Sequence, residues 1–230
     1  MKNSQNSTEA DDRELESKVM ILPKSCESTL QRDKKAEMVE FKISGYPKPY
    51  YLDTGVGLGF QYAGLMNILR SHLDKRLQIS SQILNEWRRL CIWNGTEVVV
   101  NTANELLEKN WNYVDSRKIP YFEIKEIQSW IVEQELSELG ETSLGEAEVI
   151  YLAKINGGIV ISNDARALEI STELGIICGH QGHLLRQLVY YRLVGAGEAF
   201  EKFMQMCWIS GVKFSLKRKI KSKWFYEARV

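Results

Sequence analysis

The stretch that decides the fold is LGEAEVIYLAKINGGIVISNDARALEISTELGIIC, residues 144–178. Its first part has apolar residues at helical spacing, and the Asn-Gly-Gly at 156–158 is a typical helix end. The β-branched run at 158–162 that follows predicts a strand buried on both faces of a parallel sheet. A helix at 165–174 and a strand at 175–178 complete a βαβ unit. The stretch therefore predicts an α/β fold with a central parallel sheet flanked by helices in three layers.

Upstream of this unit, β-prone runs and helical patterns alternate in the same way. The glycines at 55, 57 and 59 are predicted to end the first strand. Ser80 or Ser81 precedes an apolar helical pattern and is predicted to cap it. The predicted elements are, in chain order, a strand at Pro49–Thr54, a helix at Phe60–Leu73, a strand at Leu77–Ile79, a helix that includes Cys91, a strand at Val98–Val100, and helices at Asn104–Lys109 and Ile127–Leu139.

The composition excludes several classes of protein. Of 230 residues, 44% are hydrophobic and 26% are charged, as in ordinary globular proteins with a real core. No apolar run approaches the roughly 20 residues that span a bilayer, and the polar start has no signal-peptide core. The four cysteines form no CxxC pair, which indicates reduced thiols. We therefore expect a cytoplasmic protein without a membrane partner.

The charge is unevenly distributed although its sum is zero. Residues 1–45 are polar and predict a partly disordered N-terminal arm. The α/β domain is expected at 46–200, and a helical, basic extension at 201–230. Seven bases and one acid lie in Lys213–Val230, which suits contact with phosphates or a solvated helix end. Trp208 and Trp224 near this tail could stack nucleic-acid bases, although burial is the favoured interpretation.

Four acids are expected where open α/β sheets place functional groups. Asp53 lies at the end of the first predicted strand and Asp164 follows the strand at 158–162, whereas Glu146 lies in the first turn of a helix and Glu86 lies within another helix. Glu146 could also be a partner of the helix dipole, and Glu86 a solvated residue. Carboxylates that converge without histidine or thiolate nearby are typical ligands of Mg²⁺ or Mn²⁺.

Two other patterns suggest different chemistry. The glycines at 55, 57 and 59 lie between a strand and a helix, as in a dinucleotide-binding loop. Phe60 stands where the third glycine of that motif belongs, and no acid closes a second strand. His180 and His183 could bind a metal, but without a third ligand a loop or cap role is favoured.

Five blocks of the sequence resemble the PIN-domain nucleases, most closely the small toxin-like prokaryotic members. These blocks are YLDT at 51–54, ILNE at 83–86, LGEAEVI at 144–150, IVISNDAR at 159–166 and FMQMCWISGVKFS at 203–215. The third and fourth blocks, with their spacing, are the most specific. The resemblance covers about residues 48–220 and implies a PIN-like three-layer fold.

The resemblance also implies the roles of the acids. It makes Asp53, Glu86, Glu146 and Asp164 a catalytic quartet, with the hydroxyls of Thr54 and Ser162 beside it. Asp53, Glu146 and Asp164 are then the metal ligands, and Glu86 holds a second ion or orients a water. Glu148 is the rival of Glu146, because two residues apart on a helix only one should face the site. The family spacing to Asp164 selects Glu146.

The function that this resemblance implies is a Mg²⁺- or Mn²⁺-dependent hydrolase of phosphodiester bonds. An endoribonuclease of a toxin–antitoxin system is expected, with RNA, or single-stranded DNA, as substrate. Further expected partners are an antitoxin protein and a second copy of the chain in a homodimer. The alternative is a PIN-like module that binds nucleic acid or regulates without turnover.

Overall fold

The computed structural model describes residues 48–92, 96–114, 120–133, 140, 143–210 and 220–229. The predicted N-terminal arm and residues 211–219, which include part of the last quoted block, lie outside the described residues. Residues 41–230 cluster as one compact unit.

The described residues form five strands and ten α-helices, and each strand is followed by one to three helices. The strands are β1 Tyr50–Leu52, β2 Leu77–Ser80, β3 Tyr113–Val114, β4 Ile159–Ile161 and β5 Ile177–Gly179. The helices are α1 Thr54–Tyr62, α2 Met66–Leu73, α3 Ser81–Ile92, α4 Glu97–Leu107, α5 Tyr121–Val132, α6 Leu144–Asn156, α7 Ala165–Glu173, α8 Gln181–Tyr190, α9 Ala196–Ile209 and α10 Ser222–Tyr226.

The strands form one parallel sheet in the order β3-β2-β1-β4-β5. β1 lies at the centre, where Tyr50 pairs with Ile159 and Leu52 with Ile161 of β4. The chain builds β2 and β3 on one side of β1, then crosses to build β4 and β5 on the other. The predicted α/β class with a parallel sheet flanked by helices is confirmed. The direction of winding changes between β1 and β4, which opens a crevice at their carboxyl ends.

The 144–178 stretch folds as its sequence pattern predicts. α6 ends at Gly157, whose φ of 65° favours glycine, and all three residues of β4 are buried. α6 contacts β1, β2 and β4, so its long apolar face covers the centre of the sheet. The continuous run of apolar residues in this stretch therefore reflects burial of both the helix and the strand.

The three glycines follow the end of β1, as predicted, but they lie within α1, which begins at Thr54 and not at the predicted Phe60. A Cβ on Gly57 would overlap the ring of Trp87, and one on Gly59 would lie 3.0 Å from Oε1 of Gln181. Helix propensity disfavours glycine at both positions. Close packing against α3 and α8 explains why the helix accepts these residues, and it also excludes the dinucleotide-loop interpretation.

Other boundaries differ from the predictions as well. Val98–Val100 is part of α4 rather than a strand, because that helix buries Thr102 and Leu106 on one side. The single helix expected from Phe60 is divided into α1 and α2 at Gly64, whose φ is 74°. α5 begins at Tyr121, earlier than expected, and β3 was not predicted.

The described part of the C-terminal extension packs onto the preceding helices. α9 spans residue 200, where the sequence places a domain boundary, and it contacts α1 and α8. Ile220, Trp224 and Phe225 are buried, and α10 contacts α9. Residues 220–229 are therefore packed against the preceding helices, which the sequence interpretation as a solvated helix end did not predict.

Two features of the described residues bear on the expected compartment. Among the described residues, no helix has the length and apolar character needed to cross a bilayer. Cys91, Cys178 and Cys207 are free thiols.

Candidate active site at the carboxyl edge of the sheet

Asp53 lies directly after β1, at the crevice beside β4. It caps α1: its Oδ1 accepts the N–H of Val56 at 2.6 Å, and its Oδ2 accepts the N–H of Asn163 at 2.9 Å. The side chain is 3% exposed. Burial raises the pKa of Asp53, while hydrogen bonds from Ser162 and the two amides oppose the shift. Asp53 therefore joins the ends of β1 and β4 in a fixed orientation.

Asp164 lies on the other side of the crevice, three residues after β4. Its Oδ1 accepts the N–H of Ala167 at 2.8 Å and caps α7. The N–H of Asp164 donates to Oγ of Ser162 at 3.0 Å. Ser162 thus supports both aspartates, as the resemblance implied for a hydroxyl neighbour.

Glu86 reaches the site from α3. The hydroxyl of Thr54 donates to its Oε2, and the N–H of Gly145 donates to its Oε1 at 3.0 Å. Burial raises the pKa of Glu86, and these hydrogen bonds lower it in part. A Cβ on Gly145 would overlap the carboxylate, so this glycine permits α6 to approach Glu86. The Glu86 position is therefore set by two other elements, α1 and α6.

Glu146 lies in the first turn of α6, half-buried beside the other three acids. Its pKa is raised to about 8, mainly by burial and then by the charges of Asp53, Glu86 and Asp164, in that order. Four carboxyl groups from four separate elements are therefore close enough to affect one another. We call these four residues the acidic cluster.

Glu148, the rival of Glu146, turns away from the acidic cluster. It is 2% exposed and accepts the N–H of Gln82 at 2.8 Å and the hydroxyl of Ser81 at 3.4 Å. These donors belong to the first turn of α3, where a carboxylate is favoured by the unpaired amides and the helix dipole. Glu148 has a structural role, and Glu146 is the residue that faces the cluster.

The acidic cluster fits a divalent cation by its chemistry, because all four groups offer carboxylate oxygens. The positions of these groups do not fit a cation in the same way. Among the residues that the structure describes, no three or more Asp, Glu, His or Cys side chains are placed to hold one ion together. Both oxygens of Asp53 and of Glu86 accept protein hydrogen bonds instead. Ligation of one ion by three of these carboxylates would therefore require the side chains to move.

A buried hydrogen-bond network of Asn163, Gln181 and Ser210 lies behind Asp53, on the side away from the other acids' elements α3 and α6, and the sequence analysis did not predict it. Gln181 is fully buried, and its Oε1 accepts the side-chain N–H of Asn163 at 3.0 Å and the hydroxyl of Ser210 at 3.1 Å. Asn163 in turn donates its backbone N–H to Asp53. Asn163 closely follows β4, and this position could have indicated a functional role from the sequence. No local pattern indicates such a role for Gln181 or Ser210.

The two histidines near β5 act as helix caps. Nδ1 of His180 accepts the N–H of Gly182 at 3.0 Å, and Nδ1 of His183 accepts the N–H of His180 at 3.1 Å. Burial lowers the pKa of His180 and lowers that of His183 to about 4. The favoured cap interpretation is confirmed.

A polar cleft of about 370 Å³ lies at a different place, where β2 begins. Arg70, Asp74 and Trp111 are among the residues that line it, and the guanidinium of Arg70 lies 5.0 Å from the ring centre of Trp111. None of the acidic cluster lines this cleft. It is at the amino end of β2, whereas the cluster is at the carboxyl ends of β1 and β4.

Comparison of the chain with protein-family models, curated proteins and solved structures finds no match. The resemblance to PIN-domain nucleases rests on the quoted motifs. The strand order and the proximity of the four acids are independent of that resemblance, because they are seen in the structure of this chain.

Proposed function

We propose that this chain is a divalent-metal-dependent nuclease that hydrolyses phosphodiester bonds. One observation carries the proposal: four carboxyl groups meet at the crevice where the winding of the sheet reverses, and together with burial they raise the pKa of Glu146 to about 8. Such repulsion destabilises the fold, and it is typical of sites that have a chemical task. A divalent cation would remove the repulsion.

In the proposed reaction, Asp53, Glu146 and Asp164 would hold Mg²⁺ or Mn²⁺. When bound, the cation would stabilise negative charge on the phosphate and lower the pKa of an attacking water. Glu86, fixed by Thr54 and the N–H of Gly145, would orient that water or hold a second ion. The network behind Asp53 would keep its carboxylate in place while substrate binds.

The finer parts of the proposal follow from the resemblance. They are an endoribonuclease of toxin–antitoxin type, RNA or single-stranded DNA as the substrate, an antitoxin partner, and a homodimer. The spacing of the acids favours a second candidate, a nucleic-acid-binding module without turnover, because no three of the described side chains are placed around one ion.

Cleavage assays test the nuclease directly. Labelled RNA and single-stranded DNA are incubated with the protein in Mg²⁺, Mn²⁺ or EDTA, and we expect cleavage that depends on metal. Asp164→Asn should abolish it, because asparagine can keep the capping bond to α7 but loses the charge. Asp74→Asn, at an exposed helix end away from the cluster, is the matched control and should cleave normally.

Metal binding without turnover is measured by thermal unfolding. A cation that binds the native state alone stabilises it by about 2.7 kcal/mol at a concentration one hundred times its Kd. The melting temperature should therefore rise with Mn²⁺ in the wild type and in Asp74→Asn, and not in Asp164→Asn. Nucleic-acid binding that survives EDTA, with neither cleavage nor a shift in melting temperature, would support the module instead.

A further inference from the structure

The helix α8 carries two buried glutamines, one near each end. Gln181 is fully buried and Gln187 is 7% exposed, and about 9 Å of helix axis separates them. Nε2 of Gln187 donates to the hydroxyl of Tyr50 at 3.4 Å and lies 3.2 Å from Nε2 of His72. Gln187 is therefore at the amino edge of the sheet, where β1 begins, whereas Gln181 is at the carboxyl edge behind Asp53. Burying an amide costs stability unless it is hydrogen-bonded, so the partners of each glutamine indicate its role.

Gln181 holds the side chain of Asn163 by both of its polar atoms. Oε1 of Gln181 accepts the side-chain N–H of Asn163 at 3.0 Å, and the backbone N–H of Gln181 donates to Oδ1 of Asn163 at 3.4 Å. The backbone N–H of Asn163 in turn donates to Oδ2 of Asp53 at 2.9 Å. The hydrogen bond that orients Asp53 therefore comes from a residue that Gln181 fixes in place.

The same oxygen of Gln181 also holds the end of α9. Ser210 follows the last residue of that helix, and its hydroxyl lies 3.1 Å from Oε1 of Gln181 and 2.6 Å from the backbone oxygen of Met206. The backbone oxygen of Ser210 lies 3.2 Å from the position of a Cβ on Gly55, in the first turn of α1. Asp53 caps that turn. The end of α9 is therefore docked against both elements that orient Asp53.

This docked end is the least buried part of α9. Phe203 and Cys207 anchor the helix in the core, whereas Ser210 is half-buried and Trp208 is 58% exposed. The sequence expectation of burial is thus wrong for Trp208 and holds for Trp224, which is 8% exposed. Segments with few buried contacts open at the smallest cost in free energy. The end of α9 can therefore change its contact with Gln181 while the rest of the helix stays packed.

We propose that Gln181 is a positioning residue that makes the orientation of Asp53, and through it the metal site, depend on docking of the end of α9. While Ser210 occupies Oε1 of Gln181, that amide is fixed, Asn163 is held and Asp53 keeps one orientation. This inference rests on the proposed function and deepens it, because it names what regulates the metal site. Residues that orient a ligand without touching the metal typically change its affinity 10- to 100-fold.

Two matched substitutions on α8 test the proposal by metal binding. Gln181→Met and Gln187→Met each replace a buried amide by an apolar side chain of similar length. The probe is Mn²⁺, titrated by calorimetry into the full chain without nucleic acid, after circular dichroism has shown that the variants fold. The Kd should rise about tenfold in Gln181→Met and stay unchanged in Gln187→Met. Ser210→Ala should raise the Kd by a smaller factor, and it takes the place of Gln181→Met if that variant does not fold.

A second measurement needs neither metal nor substrate. Hydrogen exchange followed by NMR in EDTA reports whether the N–H of Asn163 still donates to Asp53. The N–H of Ala167, which donates to Asp164 across the crevice, is the internal reference for overall stability. In Gln181→Met the exchange of Asn163 should become about tenfold faster relative to Ala167, as expected for one weakened hydrogen bond. In Gln187→Met the ratio of the two rates should equal that of the wild type.

The outcomes separate this inference from the nuclease. Faster exchange at Asn163 and weaker Mn²⁺ binding in Gln181→Met, with neither in Gln187→Met, support the proposal. Unchanged exchange at Asn163 overturns it, even if the wild type cleaves RNA. Mn²⁺ binding that is unchanged in Gln181→Met, or weakened equally in both variants, also overturns it. If the wild type binds no Mn²⁺, the nuclease fails, and the exchange ratio alone decides whether Gln181 positions Asp53. If Ser210→Ala behaves as the wild type in both measurements, the dependence on α9 is overturned.

Discussion

The helix α6 carries a glutamate on each of two sides, and the surroundings of these two glutamates are opposite in charge. Glu146 faces three other carboxylates, and its pKa is raised to about 8. Glu148, two positions later, accepts hydrogen bonds from the first turn of α3 and is as buried as a core residue. A buried acid with donors around it stabilises the fold, whereas an acid among like charges costs stability. The difference separates a structural glutamate from a candidate catalytic one.

The largest expected effect is the loss of cleavage in a variant of Glu146. The same loss in a variant of Glu148 would contradict the roles assigned to the two glutamates. Glu146→Gln removes a proposed metal ligand and should lower kcat about a hundredfold or more. Glu148→Gln keeps an acceptor for α3 and should retain most activity. Both variants are compared by initial rates on labelled RNA with Mn²⁺, after circular dichroism has shown that they fold. A dead Glu148→Gln beside an active Glu146→Gln would reverse the assignment.

The second effect is on the pH dependence of stability in EDTA. The pKa of Glu146 is raised from 4.5 to about 8 in the folded protein, so the folded state binds more protons than the unfolded state between these values. The stabilisation is complete below pH 4.5 and is lost as the pH rises to 8. Because His183, with a pKa lowered to about 4, contributes in the opposite sense below pH 6.5, the clearest window is pH 6.5 to 8.

Within that window the free energy of unfolding should fall by about 2 kcal/mol, at about 1.4 kcal/mol per pKa unit. Urea denaturation at several pH values measures it. In Glu146→Gln the fall should largely disappear, while Glu148→Gln should keep it. If the free energy of unfolding falls with pH as steeply in Glu146→Gln as in the wild type, Glu146 is not the acid whose pKa is raised.

The third effect, of similar size, concerns the structural side of the comparison. Glu148→Ala leaves the N–H of Gln82 without its carboxylate acceptor at the start of α3, which should cost about 2 kcal/mol of unfolding free energy. Glu146→Ala relieves repulsion and should cost less at pH 8, or increase stability. Urea midpoints at that pH compare the two variants. A larger loss in Glu146→Ala would contradict the division of roles.

Most of the fold could be predicted where local pattern and tertiary environment agree. The buried run at 158–162 has the same apolar character in sequence and structure, because a central parallel strand is covered on both faces. The pattern misleads at Val98–Val100 and at the glycines of α1, since strand and helix propensities there are weak compared with packing. Position 57 requires glycine because a Cβ there would overlap the ring of Trp87, which lies thirty residues later in the chain.

The sequence by itself determined that acids follow β1 and β4 and open α6, because strand ends and helix starts are local features of the chain. It did not determine which groups surround each acid. Only the tertiary structure brought α3 to Glu148 and the cluster to Glu146, buried Trp224 and left Trp208 exposed, and placed Gln181 behind Asp53. These outcomes depend on contacts between residues far apart in the chain, where burial and hydrogen bonding are decided by partners that no local pattern contains.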